Sequence, residues 1–262
     1  MLFKTLYTKI IILTFLLLGL FSFRNIQSKM DENVAVIDSC STELEYLYVS
    51  SAKFKSYTSG LYQEIFKDNN APSIKVFEYA YKGYANLVAN DLLANKNILT
   101  IIDYSMSSNR KRLWVIDLKL RKVVLNEMVA HGRNSGEEIA TKFSNNQESY
   151  QSSIGFFITG EIYEGKHAES LKLHGMEKRF NDKAFDRGIV IHGAEYVSQE
   201  FINNNQRLGR SLGCPAVSTS VNTTLINTIK DGTCLFAFYP QKTYLKLSKL
   251  INTDVVIGIP RE

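Results

Sequence analysis

The run Leu99-Thr100-Ile101-Ile102-Asp103-Tyr104, with Leu113-Trp114-Val115-Ile116-Asp117-Leu118 and Val123 to Ala130 behind it, decides the fold class. Each segment is short, rich in β-branched and aromatic residues, and bounded by polar turn formers, which is the pattern of strands. Asn109-Arg110-Lys111 and Lys119 to Lys122 supply the turns. Connections this short have no room for a crossover helix, so the strands read as an antiparallel meander. Further strands are expected at Gly155 to Thr159, Ile189 to His192 and Cys234 to Tyr239. The chain is therefore mainly β, with flanking helices, from residue 96 to residue 262.

Upstream of this region the period changes. Between Thr42 and Leu93 apolar residues recur at helical spacing, most clearly Val76, Phe77, Ala80, Tyr81, Tyr84, Leu87 and Val88, after Ser73 as a cap. Tyrosines at that spacing form a packing face, so residues 30–95 are expected as a helical preface packed on the β domain. Flanking helices are predicted at Ser198 to Asn205, at Ser220 to Lys230 before Asp231-Gly232, and at Tyr244 to Leu250. The interval from His131 to Arg187 is rich in Gly, Ser, Asn and charge, and long loops in a compact domain are commonly functional. The four histidines, His131, His167, His174 and His192, lie between positions 131 and 192.

The 262 residues, 45% of them hydrophobic, suffice for a substantial core. The formal net charge of +5 includes Lys4 and Lys9, and no basic run interleaved with aromatics suggests nucleic acid as a partner. Those lysines precede the apolar run Ile10 to Phe23, after which Arg24, Lys29, Asp31 and Glu32 restore polarity. Residues 1–29 thus have the layout of an export signal, either cleaved or kept as an N-terminal membrane anchor. Phe21-Ser22-Phe23 is a poor cleavage site, and the run is shorter than the roughly 20 residues of a comfortable span. The expected location is the periplasm or cell envelope, with membrane contact only through an uncleaved N-terminus.

Three cysteines leave at least one unpaired. Cys40 lies too far past the apolar run for a lipidated residue, and Cys234 sits in an aromatic stretch that reads as core. Cys214 differs, because Gly209-Arg210-Ser211-Leu212-Gly213-Cys214-Pro215-Ala216 is too polar and turn-rich for a strand interior. Gly213 permits a tight backbone turn, and Pro215 suits the first position of a helix whose N-terminus would favour a thiolate. A cysteine nucleophile needs a base, and Ile189-Val190-Ile191-His192-Gly193 reads as a buried strand delivering His192 at its end. Proline has no N–H, so an oxyanion would draw on Cys214, Gly213 or a more distant loop. A zinc site built from His131, His174, His192 and Cys214 is the chemical rival, although no H-E-x-x-H or C-x-x-C motif fixes its geometry.

The order of these motifs is similar to that of the L,D-transpeptidase catalytic domain, with its YkuD-like fold. The branch it resembles carries His-Gly-Arg-Asn-Ser-Gly upstream, here His131 to Gly136, and ends its cysteine motif in Gly-Cys-Pro-Ala, here Gly213 to Ala216. The similarity runs from about Leu61 to Leu250 and takes in Leu113 to Asp117, Phe143-Ser144-Asn145 and Ser153-Ile154-Gly155-Phe156. The resemblance implies a β-sandwich or barrel domain in which Cys214 forms an acyl-enzyme with one peptidoglycan stem peptide and passes it to an acceptor stem. By position, Cys214 matches the nucleophile, His192 the base, Gly213 the residue before the nucleophile and Ser211 the Ser/Thr of the motif. It implies no metal or organic cofactor. With water as acceptor the same site would be a carboxypeptidase or endopeptidase, and a catalytically silent wall-binding protein is a reading from another class.

The sequence departs from the commoner members at three places. Leu212 replaces a second histidine, Pro215-Ala216 replaces a polar residue, and Gly193 follows the base where Ser or Thr is usual. The orientation of His192 must then come from elsewhere. His131, Arg133, Asn134, His174, Gly193 and Arg210 are expected to line the cleft for a charged stem, local hydrogen bonding in loops being the competing account. His167 is expected to be exposed.

Overall fold

The computed structural model describes residues 44–48, 51–67, 70–165, 168–254 and 256–260. The N-terminal segment expected as an export signal, Cys40 and His167 lie outside them. A strand β1 (Leu44–Tyr48) precedes helices α1 (Ser51–Ile65) and α2 (Ile74–Ala89). Then come β2 (Ile98–Asp103), β3 (Lys111–Asp117), β4 (Lys122–Met128), β5 (Gly155–Gly165), β6 (Ala168–Gly175) and β7 (Val190–Gly193). The chain continues through α3 (Gln199–Asn205), β8 (Ala216–Val217), α4 (Thr219–Ile229) and β9 (Cys234–Phe238) to α5 (Lys242–Leu247), α6 (Lys249–Asn252) and β10 (Val256–Pro260). Glu45–Ile259 form one compact unit; the other, Met1–Leu44 with Pro260–Glu262, falls almost wholly outside the described residues. Among the described residues no helix is long and apolar enough to cross a membrane.

β1 pairs with β10, and the other eight strands form one sheet in the order β4-β3-β2-β9-β5-β6-β7-β8. The meander β2-β3-β4 is antiparallel, as the short turns require. The sheet as a whole is mixed, since β9 enters parallel to β2 and β8 parallel to β7. Just past β4, Ala130 bridges Ala216 of β8, so the two edges of the sheet meet and it becomes a nearly closed barrel. Closure removes the unpaired edge that an open sheet presents to other chains.

Side-chain alternation divides the core into two layers. Leu99, Ile101, Trp114, Ile116, Phe156, Phe236 and Phe238 point to one face, where Phe54 and Leu61 of α1 and Phe77, Ala80 and Leu87 of α2 cover them. Ile102, Leu113, Val115, Leu171, Leu173, Ile191, Leu235 and Ala237 point to the other, covered by Leu225, Ile226 and Ile229 of α4. Because both faces are buried, β2 and β9 read as continuous apolar runs. The helical preface is thus part of the same core as the strands. Ser73 caps α2 by accepting from the Val76 N–H at 3.3 Å, and Asp231 and Gly232, both at positive φ, end the turn after α4.

One carboxylate ties the C-terminal helices to this core. Glu177, buried, accepts from the Phe156 N–H and from the Tyr244 hydroxyl, each at 2.8 Å, and from Ser248. Burial raises its pKa, and the three donors pull it part of the way back.

Close packing sets the sign of one substitution. A Cβ on Gly83 of α2 would stand 1.9 Å from the ring of Phe156. Glycine to alanine in a helix interior gains up to about 1 kcal/mol of propensity, but overpacking a core contact costs about 1–3 kcal/mol. Gly83→Ala is expected to lower the thermal midpoint in a calorimetric scan, and a rise would show that Phe156 has room to move.

Candidate active site

The segment carrying Cys214 is held from three sides. Ser211 pairs with Gly132, its N–H donating to His131 O at 3.0 Å and its carbonyl accepting from the Arg133 N–H at 2.8 Å. The Ser211 hydroxyl accepts from the Gly213 N–H at 3.0 Å and donates to Cys214 O at 2.6 Å. Gly213 takes φ +132°, a conformation that side chains rarely adopt, and a Cβ there would sit 3.0 Å from Gln151 O. Buried Ser152 completes the clamp, its hydroxyl accepting from the Gly132 N–H and donating to Gly213 O, both at 3.0 Å.

Cys214 is half-buried and a free thiol, and its Sγ donates to Gly188 O at 3.6 Å. Burial pushes the thiol up, while backbone hydrogen bonding from Val190, the Arg187 guanidinium and its own N–H pull in the other direction. The helix expected to begin at Pro215 is absent. Pro215 leads into β8, and α4 starts only at Thr219, so Pro215 does not open a helix behind the sulfur. The reason is pairing: Ala216 is engaged by Ala130 on one side and His192 on the other, which keeps the chain extended past the proline.

His192 lies on β7, directly opposite Ala216 of the parallel strand β8 and Ser170 of β6. Its ring is buried, with Nδ1 2.9 Å from Gly193 O. A carbonyl only accepts, so Nδ1 carries the proton and Nε2 the lone pair. The carbonyl of the glycine that follows it thus holds one ring nitrogen of His192. On β6, Leu171 and Leu173 face the core while Ser170, Lys172 and His174 share the face of His192.

The remaining expected residues are spread around this turn. His131 is buried; its Nδ1 accepts from Arg112 Nη2 at 2.9 Å and its Nε2 faces Gly136 O at 3.3 Å. With both nitrogens engaged, the ring braces the loop from inside and does not line a cleft. Arg133 lies over the Tyr150 ring at 4.2 Å. Asn134 donates to Ser149 O at 2.9 Å, and Arg210 binds Glu137 at 2.6 Å and Gly136 O at 3.1 Å. Gly193 packs against Asn222 and Thr219 of α4. His174 stacks on Phe185 at 4.8 Å. For the zinc reading, both ring nitrogens of His131 are engaged, and among the described residues no group of three His, Cys, Asp or Glu converges.

Arg187 was not picked out from the sequence. Its Nη1 donates to Ser144 O at 2.7 Å and to the Ser153 hydroxyl, and its Nη2 to Ser149 Oγ at 3.1 Å and Gln151 O at 2.8 Å. The signal was its position, in Asp186-Arg187-Gly188 directly before the strand that carries His192.

The family model described as L,D-transpeptidase catalytic domain matches residues 68–238. No curated protein matches the chain. Among solved structures, an L,D-transpeptidase from Mycobacterium smegmatis is 10% identical, with 55% of this chain and 59% of that chain covered and a TM-score of 0.35. This chain thus spans less than two thirds of that protein. An L,D-transpeptidase from Stackebrandtia nassauensis is 15% identical, with 77% and 95% covered and a TM-score of 0.34. For residues 123–326 of the L,D-transpeptidase from Xylanimonas cellulosilytica the values are 11%, 77%, 100% and 0.33.

Burial, and after it the charge of Arg112, lowers the pKa of His131 to about 4, against about 6.5 for a free histidine. Protonation then favours the unfolded chain, so this contribution to stability is complete above about pH 6.5 and is lost as pH falls towards 4. His131→Gln, which can still accept from Arg112 but does not titrate, is expected to flatten the fall in melting temperature across that window. Parallel curves for the two proteins would count against this assignment.

Proposed function

The chain belongs to the L,D-transpeptidase catalytic-domain family, and on that premise we propose that it cross-links peptidoglycan outside the cytoplasmic membrane, with Cys214 as nucleophile and His192 as base. The observation that carries this reading is the β7–β8 pairing, which sets His192 opposite Ala216, two residues beyond Cys214 on the neighbouring strand. The Nδ1–H bond to Gly193 leaves Nε2 as the basic atom.

The chemistry follows from those roles. Nε2 takes the thiol proton, and the sulfur attacks the carbonyl carbon of the third stem residue. The tetrahedral adduct collapses, the C–N bond breaks, and His192 returns the proton to the departing amine of the terminal D-Ala. The resulting thioester is attacked by an amine of a second stem, whose proton passes to His192 as the C–S bond breaks. The Gly213 N–H is committed to Ser211, so the Cys214 N–H is the donor on this turn for the oxyanion. Gly193, Arg133, Asn134, His174 and Arg210 surround this turn or share its sheet face, and their part in holding donor and acceptor stems belongs to the same proposal. No metal or organic cofactor enters these steps.

Intact-protein mass after incubation with a disaccharide-tetrapeptide, with and without a second stem, tests the reading. An adduct on Cys214 followed by a cross-linked dimer is the expected result. An adduct resolved only to tripeptide would make the protein a carboxypeptidase, and the absence of both adduct and product would return it to a wall-binding role. Cys214→Ser is expected to remove turnover while leaving the circular dichroism spectrum unchanged, since a hydroxyl needs stronger activation than a thiol. His192→Ala is expected to slow acylation by about 10²–10⁴-fold, the usual worth of a general base.

A further inference from the structure

Arg187 presents an accounting problem. Among the described residues Arg121 pairs with Glu64, and Arg207 and Arg210 share Glu137. Among the described residues no carboxylate forms an ion pair with Arg187. Its four Nη hydrogens go to neutral acceptors, the Ser144 and Gln151 carbonyls and the Ser149 and Ser153 hydroxyls. A partly buried guanidinium without a counter-ion is costly unless a negative charge develops near it.

The nearby charge partner is the sulfur. Nη2 lies 3.6 Å from where a Cβ on Gly213 would stand, directly before Cys214; burial lowers the pKa of Arg187, and the charge of Cys214 opposes that. Tyr104 and Tyr196 beside the sulfur are both held at about 12 by burial and stay neutral; besides His192, the proposed base, Arg187 is the charged group that bears on Cys214. With its Nη hydrogens spent on the loop, Arg187 is poorly placed to clamp a substrate carboxylate in the bidentate manner. What it offers the site is a fixed charge.

We propose that Arg187 is a positioning residue for Cys214: its charge favours the ionised sulfur, and its four hydrogen bonds hold the 144–153 loop against the cysteine turn. In this protein the guanidinium takes the place that a helix N-terminus takes beside other reactive cysteines. The inference rests on Cys214 being the nucleophile, but its test requires no peptidoglycan chemistry.

Alkylation of Cys214 in the full chain, followed by mass spectrometry of the peptide that contains it, separates this thiol from Cys40 and Cys234. Two reagents of similar size, neutral iodoacetamide and anionic iodoacetate, report the local potential. In the native protein the iodoacetate-to-iodoacetamide rate ratio is expected to exceed that of a free cysteine and to fall with added salt. In Arg187→Gln the pH midpoint of alkylation is expected to rise by about one unit or more, as removal of a neighbouring opposite charge does, and the ratio is expected to drop to the free-cysteine value. Arg187→Lys, which keeps the charge and loses the fork, is expected to retain the ratio. Equal midpoints and ratios in native and Arg187→Gln protein would overturn the proposal, as would Arg187→Lys behaving like Arg187→Gln. If Arg187→Gln does not fold, a native ratio equal to that of free cysteine overturns it alone. A shifted midpoint without peptidoglycan products would leave this inference standing and remove the transpeptidase reading.

Discussion

The pair of backbone hydrogen bonds between Ala130 and Ala216 is the constraint on which the rest of the site depends. It joins the last residues of the β2-β3-β4 meander to the far edge of the sheet and so closes the barrel. Once Ala216 is fixed between Ala130 and His192, the residues before it have little choice. Cys214 must sit at the mouth of the seam, and Gly213 must take the positive φ that lets the chain reach it. Ser152 and Ser211 then satisfy the polar groups that this tight path turns inward. Cys214, the proposed nucleophile, is thus placed by the strands that complete the fold and held by the loops that cross the seam.

The electrostatics of the site follow from the same geometry. Burial opposes ionisation of the sulfur, while the Val190 backbone and the Arg187 guanidinium favour it. Within the site the histidine is oriented by a main-chain carbonyl, and the guanidinium is oriented by main-chain and serine oxygens. The hydrogen-bond acceptors of Arg187 are all neutral, so no buried carboxylate has to be desolvated to hold it. The buried carboxylate Glu177 instead serves the helices α5 and α6.

Much of the architecture was legible in the sequence. The apolar runs of β2, β3 and β9 read as strands because both of their faces are covered, and Ser73 and Asp231-Gly232 marked helix ends by local chemistry that needs no tertiary context. Strand β6 was missed, since Glu169-Ser170-Leu171-Lys172-Leu173-His174 has only two apolar residues in alternation, enough for a half-buried strand yet too few to separate from a loop. The parallel entry of β9 beside β2 is a long-range pairing with no local signature. At the site, the strand-borne His192 and the turn at Gly213 could be read, because each announces itself through its neighbours. The strand after Pro215, the interior place of His131 and the contacts of Arg187 could not, because each is decided by a partner far along the chain.

The placement of β9 has a consequence for how the protein comes into being. This strand lies at the centre of the sheet, between β2 and β5, yet it is among the last elements of the chain. The meander and the β5-β6 hairpin can form early, but they stay separate layers until Cys234–Phe238 inserts between them. Contacts of such sequence separation are entropically slow to establish. The molecule should therefore fold in a late, concerted step, remaining loose while its C-terminal residues are still being made, and a chain that stops short of Phe238 would keep the histidine and the cysteine without the barrel that brings them together.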